Sequence, residues 1–143
     1  MPFWKLYYHL VWCTDKRAPM IVPGIEHELH RCIKEKIAAL GGEPLEIGNT
    51  ADHIHLGCTI PPTIAVAKFV GEVKGASSFH INHIPDNPNG VAWAKGYGAV
   101  SFRKDNLSQV EEYIRRQKEH HASGKLWPTL EDCGEEPDGK PSV

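Results

Sequence analysis

The run Ala51-Asp-His-Ile-His-Leu-Gly-Cys-Thr-Ile60, halted by Pro61-Pro62, leaves this chain few folding options. It is apolar, partly β-branched and closed by prolines, the make-up of a strand. Side chains alternate across a strand. His53, His55, Gly57 and Thr59 therefore share one face, and Ile54, Leu56, Cys58 and Ile60 share the other. The second face is apolar and has to be covered as core. The first sets two imidazoles side by side, a geometry suited to one divalent cation, although a solvated polar face would read the same way.

The neighbouring segments supply the cover. Residues 4–14 alternate, are rich in aromatics and read as a first strand. Residues 23–40 carry apolar side chains at 25, 29, 32, 33, 37 and 40 and stop at Gly41-Gly42, which predicts an amphipathic helix. Residues 43–49 form a second strand, hairpinned to 51–60 across a short polar turn. A second helix runs from Pro62 or Thr63 to about Asn82, burying Ile64, Ala67, Phe69, Val70 and Val73. A turn-rich loop follows at 85–90, then a strand over 91–103, interrupted near Gly96 and Gly98.

Leu107, Val110 and Ile114 recur at helical spacing, so a last helix is expected over 106–121, with Asn106 or Ser108 as its cap and Glu111 completing a capping box. Tyr113 and Gln117 are four apart and fall on one face of it. Tyrosine can act as a covalent nucleophile, and glutamine offers a neutral oxygen ligand. The plain alternative is an amphipathic helix with a half-buried tyrosine.

The order β-α-β-β-α-β plus a helix fits the α+β class: a ferredoxin-like (RRM-like) antiparallel sheet with two helices on one face. Its first and third strands are central neighbours, which places His53 and His55 mid-sheet. The other sheet face is open to the extra helix and a ligand. Residues 1–123 make up the domain. Residues 124–143 are acidic and rich in Pro and Gly, with little fixed structure expected from about Pro128.

The length of 143 residues fits one domain with a real core. No apolar run approaches the roughly 20 residues that span a membrane. The N-terminus lacks the layout of a secretory signal, so a cytoplasmic protein is expected. Cys13, Cys32, Cys58 and Cys133 form no Cys-x-x-Cys pair, which argues against structural zinc. Cys13 and Cys58 read as buried reduced thiols, and no functional disulfide is expected. The formal charge of −2 sits in the tail, where two lysines face five acids, while Lys16-Arg17, Arg103-Lys104 and Arg115-Arg116 are local basic clusters. A groove for a phosphate backbone is compatible with this; general polyanion binding is not. No Walker-type loop appears, so no nucleotide cofactor is expected.

Together, five blocks resemble the HUH single-tyrosine transposases of small bacterial and archaeal insertion sequences. They are Tyr8-His-Leu-Val-Trp-Cys-Thr-Asp-Lys-Arg17, His53-Ile-His55, Val73-Lys-Gly-Ala-Ser-Ser78, Gly96-Tyr-Gly-Ala-Val-Ser-Phe102, and Tyr113-Ile-Arg-Arg-Gln117 followed by His120-His121. The resemblance covers about residues 5–121. It implies a homodimer and a divalent metal, Mg²⁺ or Mn²⁺, held by His53, His55 and Gln117. It implies Tyr113 as nucleophile, acting in its own subunit or across the dimer with Gly96 and Gly98 as a flexible approach. The substrate would be single-stranded DNA with hairpins, cleaved through a 5′-phosphotyrosine and rejoined. Many relatives continue with a further acidic-aromatic segment and helix where this chain turns to its polar tail.

By the same resemblance Lys74, Ser77 and Ser78 are DNA contacts; charge alone adds Arg103, Arg115 and Arg116 as phosphate contacts. His9, Asp52 and His121 are candidates for a supporting role around the metal. Asp52 points to the opposite strand face, so a role in orienting its neighbours is expected rather than ligation. Two other functions fit the same residues: a catalytically silent relative that only binds nucleic-acid hairpins, and a metal-dependent nuclease or replication initiator.

Overall fold

The structure, a computed structural model, describes residues 2–85 and 90–134. Most of the loop expected at 85–90, and the tail at 135–143, lie outside the described residues. The strand β3 (His53–Thr59) is buried along its whole length. It pairs antiparallel with β1 (Tyr7–Cys13) on one side and β2 (Pro44–Asn49) on the other, and β4 (Gly98–Phe102) completes the order β2-β3-β1-β4 on the far edge of β1. The expected α+β fold is the observed one, with the first and third strands at the centre.

Register fixes which side chains share a face. Cys13 pairs with His53, Val11 with His55 and His9 with Gly57, so these five side chains stand on one face with Gly57. Leu10, Trp12, Ile54, Leu56 and Cys58 stand on the other, where α1 (Pro23–Ala39) brings Leu29, Ile33 and Ile37, and α2 (Val66–Asn82) brings Phe69, Val70 and Val73. Each such side chain contributes roughly 1.5–3 kcal/mol by leaving water, and this face holds the sheet rigid. Pro23 opens α1, where a missing N–H costs nothing.

The histidine face is covered by the C-terminal third. α3 (Leu107–Arg115) lies over β2 and β3 and buries Val110, Tyr113 and Ile114. Its approach to β2 is so close that a methyl group on Gly48 would overlap the backbone carbonyl of Ile114. Glycine is therefore what lets α3 sit low enough to bring Tyr113 to the sheet.

Several expectations change in this region. The last helix is not continuous over 106–121: Arg116, at φ −103 and ψ 30, breaks it into α3 and α4 (Gln117–Ser123). Neither Asn106 nor Ser108 caps α3 through a side chain; a 3-10 turn, Lys104–Asn106, leads into it instead. The strand expected over 91–103 is confined to β4, with Trp93 making only a single bridge to Thr14. The tail is not without structure from Pro128: Pro128–Glu131 forms a short helix, α5, and Leu130 is buried. Cys13 is not a reduced thiol, because it forms a disulfide with Cys133 across a separation of 120 residues, with Cα atoms 6.3 Å apart. The pairing depends on the tail crossing the open sheet face, which local periodicity does not encode. Cys58 is a buried free thiol and Cys32 a half-buried one. Among the described residues no helix is long and apolar enough to cross a membrane.

Replacing Gly48 with alanine is expected to lower unfolding stability by about 1–3 kcal/mol, because α3 must lift off β2. Urea denaturation followed by circular dichroism measures it, and a near-UV change at Tyr113 and Trp127 should accompany the loss.

Candidate active site

Four side chains converge above the middle of β3. His53 and His55 rise from the strand, His121 comes from α4 and Glu131 from α5. The Oε1 atom of Glu131 lies 3.2 Å from Nε2 of His53, 3.2 Å from Nε2 of His55 and 3.1 Å from Nε2 of His121. The Nε2 atoms of His53 and His121 are themselves 3.0 Å apart. The other oxygen, Oε2, accepts a hydrogen bond from the Tyr113 hydroxyl. One carboxylate therefore joins the imidazole cluster to the phenol within a single chain.

The imidazoles are oriented from behind. His53 Nδ1 is 2.7 Å from Asp52 Oδ1 and 2.8 Å from Thr50 Oγ1, so Nδ1–H donates to the carboxylate and Nε2 turns into the site. His55 Nδ1 is 2.9 Å from Nε2 of His9, which is buried on β1. Burial, together with the neighbouring His55, pushes His9 down to about 3, so it is neutral and can serve as donor or acceptor.

The electrostatics follow from the same contacts. Burial disfavours the charged form of His53, but Glu131 and Asp52 outweigh it and raise its pKa. Burial lowers that of His55, against the pull of Glu131. Burial also works against an ionised Glu131, yet hydrogen bonds from His53 and His55 hold its carboxyl well below the usual range. The Tyr113 hydroxyl is pushed up to about 12, by burial first and the adjacent Glu131 carboxylate second. A phenol in that state is a poor nucleophile.

Tyr113 is also held by ring contacts. It stacks on His120 with ring centres 4.7 Å apart and on Trp127 at 5.1 Å, and the Trp127 N–H donates to its oxygen at 2.9 Å. A cavity of about 460 Å³ opens beside it, lined by Gln109, Arg116, His120 and Trp127 among others. Gln117 is buried at the helix break. Its amide nitrogen donates to the Tyr113 carbonyl at 3.0 Å, and its Oε1 has no hydrogen-bond partner among the described residues.

This donor set fits a divalent cation. The four ligand atoms lie within 4.8 Å of one another, and the contacts given above are 3.0–3.2 Å. Around an octahedral Mg²⁺ or Mn²⁺ with ligands at about 2.0–2.2 Å, adjacent donors lie roughly 2.8–3.1 Å apart, so these contacts need little change. Gln117 stands outside this set of four, bonded to the backbone of Tyr113.

The sequence-derived candidates divide cleanly. His53, His55, Tyr113, Gln117, His121, His9 and Asp52 are brought together. Lys74, Ser77 and Ser78 are not: α2 packs on the opposite sheet face. There Lys74 donates to the carbonyls of Ala94 and Gly96, Ser77 accepts from Trp93 Nε1, and Ser78 bonds back to Gly75. Arg103, Arg115 and Arg116 are exposed and paired with Asp105, Glu46, and Glu112 with Glu119 respectively. Such surface pairs are weak and exchange readily for phosphate. Gly98 serves close packing rather than a hinge, since a methyl there would overlap the Asp132 carbonyl. Glu131 went unread in the sequence. Its signal was the apolar content of Leu126-Trp127 and Leu130 within an acidic stretch, with Pro128 placed to start a helix.

Comparison with known proteins puts this geometry in context. The family model described as "Transposase IS200 like" matches residues 2–117. The ISDra2 transposase TnpA of Deinococcus radiodurans is 26% identical over 119 residues, spanning 80% of this chain and 85% of the relative. The transposase for insertion sequence element IS200 of Salmonella typhimurium is 27% identical over 127 residues, spanning 85% and 83%. A provisionally assigned transposase from Deinococcus radiodurans superposes with a TM-score of 0.61 at 24% identity, covering 79% of this chain and 91% of its own. A REP-associated tyrosine transposase, solved bound to a REP hairpin, superposes with a TM-score of 0.60 at 15% identity, covering 90% and 81%. Both structures share the fold.

Two measurements test the site without any reaction. In the metal-free protein, ultraviolet titration should show one phenol ionising near 12 that is missing from the Tyr113→Phe variant. Mn²⁺ binding should strengthen as pH rises through the raised pKa of His53, because the ion must displace that proton. In the same calorimetric assay Asp52→Ala should weaken Mn²⁺ binding by about 10–100-fold, through loss of the group that orients His53.

Proposed function

Because this chain belongs to the IS200-like transposase family, we propose that it cleaves and rejoins single-stranded DNA at hairpin-bearing ends through Tyr113, with a divalent cation held by His53, His55 and Gln117. The observation that carries this reading is the single carboxylate spanning Tyr113 and the imidazoles, because it measures how near the nucleophile lies to the cation site. A scissile phosphate in place of that carboxylate would touch both.

The Tyr113 oxygen attacks phosphorus, the bond from phosphorus to the 3′ oxygen breaks, and that oxygen leaves with a proton as a free 3′-OH. The 5′-phosphate stays on Tyr113. A 3′-OH from another DNA end reverses the step and reseals the strand. One phosphodiester is exchanged for another in each direction, so no nucleotide cofactor is needed. The cation, Mg²⁺ or Mn²⁺, supplies charge neutralisation and polarisation of the phosphate. Gln117, a neutral ligand, leaves the charge of that ion undiminished. Arg115 and Arg116 flank the helix break and Arg103 stands before α3, so a DNA backbone can replace their surface carboxylates. A hairpin partner is supported by the fold relative solved with one. Assembly as a homodimer and a cytoplasmic location complete the proposal. With Tyr113 lying over its own chain's histidines, the reading favours chemistry within one subunit.

The test is incubation with hairpin-bearing single-stranded DNA and Mn²⁺, followed by denaturing electrophoresis. A covalent adduct is expected for the native chain. Tyr113→Phe should form none while binding the hairpin as before, and His53→Ala should lower adduct formation with Tyr113 intact. Hairpin binding without any adduct in the native chain, under reducing conditions, would favour the silent hairpin-binder instead.

A further inference from the structure

We propose that the Cys13–Cys133 disulfide is a redox-exchangeable latch, opened by a dithiol reductant, that holds residues 125–134 across the active site as a stand-in for the DNA. The proposal rests on the reading above for what is excluded, but not for the latch itself.

The strap leaves α4 at Gly124 and reaches the sheet in three contacts. Trp127 stacks its ring on Tyr113, and its backbone N–H donates to the phenol oxygen. Glu131 gives one oxygen to the imidazoles and the other to Tyr113. Cys133 is bonded to Cys13, which pairs with His53 in the sheet. A phosphodiester in the act of cleavage would have to present anionic oxygen to the imidazole side and phosphorus to the tyrosine. The carboxylate and the indole thus occupy the positions of a phosphate and a stacked base, and they exclude DNA by volume and by charge.

The latch decides whether the strap can leave. Glu131 lies two residues from Cys133, and extended chain spans at most about 3.6 Å per residue. With the bond closed, Cys133 is fixed to Cys13 with Cα atoms 6.3 Å apart, and the backbone of Glu131 stays within about 7 Å of Cys133, which keeps the end of the strap on the sheet. With it open, the strap's covalent link to the rest of the described chain runs only through Gly124. What remains is the short α5 with its buried leucine, the packing of Asp132 on Gly98 and of Gly134 on Gly96, and contacts that a cation and a phosphate can each replace.

Cys13 and Cys133 are both buried, packed with Val11 and Ala94, so exchange begins on the Arg17 side after local opening of the strap's end. Arg17 Nη2 donates to Cys133 Sγ at 3.7 Å. Its turn holds Lys16 and Arg17 at φ 55 and 52, a left-handed conformation that non-glycine residues seldom adopt. A guanidinium there attracts an incoming thiolate. The external thiolate attacks Cys133 Sγ, the S–S bond breaks, and Cys13 leaves as a thiolate that takes up a proton. The second thiol of the reductant then attacks the mixed disulfide and releases Cys133, which is protonated in turn. Two electrons and two protons pass to the protein, and the dithiol becomes a cyclic disulfide. In a reducing cytoplasm such bonds are transient or regulatory rather than structural, which suits a latch.

The experiment compares the full chain in a Cys32→Ser background, oxidised with diamide or reduced with dithiothreitol and desalted. Non-reducing peptide mapping should find Cys13 joined to Cys133 in the oxidised sample. On reduction, hydrogen exchange at residues 125–134 should accelerate by about tenfold or more, and adduct formation with hairpin DNA and Mn²⁺ should rise in step. Cys133→Ser should match the reduced sample under both treatments; should it fold poorly, the two treatments of the Cys133-bearing chain carry the comparison alone. Absence of the crosslink, or exchange in 125–134 that ignores reduction, overturns the latch. Faster exchange with no adduct in either state upholds the latch and overturns the phosphotyrosine reading. Faster exchange with adduct formation unchanged overturns the claim that the strap excludes DNA.

Discussion

Everything on the open face of this sheet is organised by one carboxylate. Three imidazoles aimed at a common point, two of them fully buried, would otherwise face lone pair against lone pair or proton against proton. Glu131 resolves the conflict by accepting from all three sides, and its second oxygen ties in Tyr113. Charge-assisted bonds of this kind are about twice as strong as neutral ones. They keep the carboxylate ionised despite its burial. Remove it and the cluster needs another bridging charge, which is the condition under which a cation and a phosphate bind.

The sheet makes that convergence possible by being rigid on its other side. α1 and α2 seal the apolar face, so β1 and β3 hold His9, His53 and His55 at fixed pleat positions. Close approach then does the rest. Gly48 admits α3 to the sheet, Gly98 admits the strap, and the break at Arg116 turns the chain so that Tyr113 from α3 and His121 from α4 both reach one point. An unbroken helix would carry His121, two turns beyond Tyr113, about 12 Å along its axis.

The sequence disclosed these parts unevenly, for physical reasons. Period-2 alternation in 51–60 and helical spacing in 23–40 are local signals, and they carried the sheet, its strand order and the face bearing the histidines. Tyr113 and Gln117 were legible through their spacing. The kink at Arg116 was not, because nothing in Arg115-Arg116 breaks a helix by itself. Lys74, Ser77 and Ser78 form a recognisable block, yet their side chains serve the α2 packing and the loop beside it. The tail misled most. Acidic and Pro-rich composition ordinarily marks a segment that cannot bury enough to fold. Here Leu130, Trp127 and Cys133 anchor it through contacts with residues far away in the chain, and long-range pairing of that kind leaves no periodic trace.

The charges of the closed site are balanced by its own side chains. His53, with its raised pKa, lies between the carboxylates of Asp52 and Glu131, while His55 and His9 are pushed toward neutrality. A proton on His53 thus fills the electrostatic role of the cation, and Glu131 fills that of the phosphate. Tyr113, facing that carboxylate, is held as a neutral phenol. Each natural ligand must therefore displace an internal counterpart: the cation a proton, the phosphate a carboxylate. Joint displacement keeps the buried charges balanced, because the cation offsets the phosphate that takes the place of Glu131.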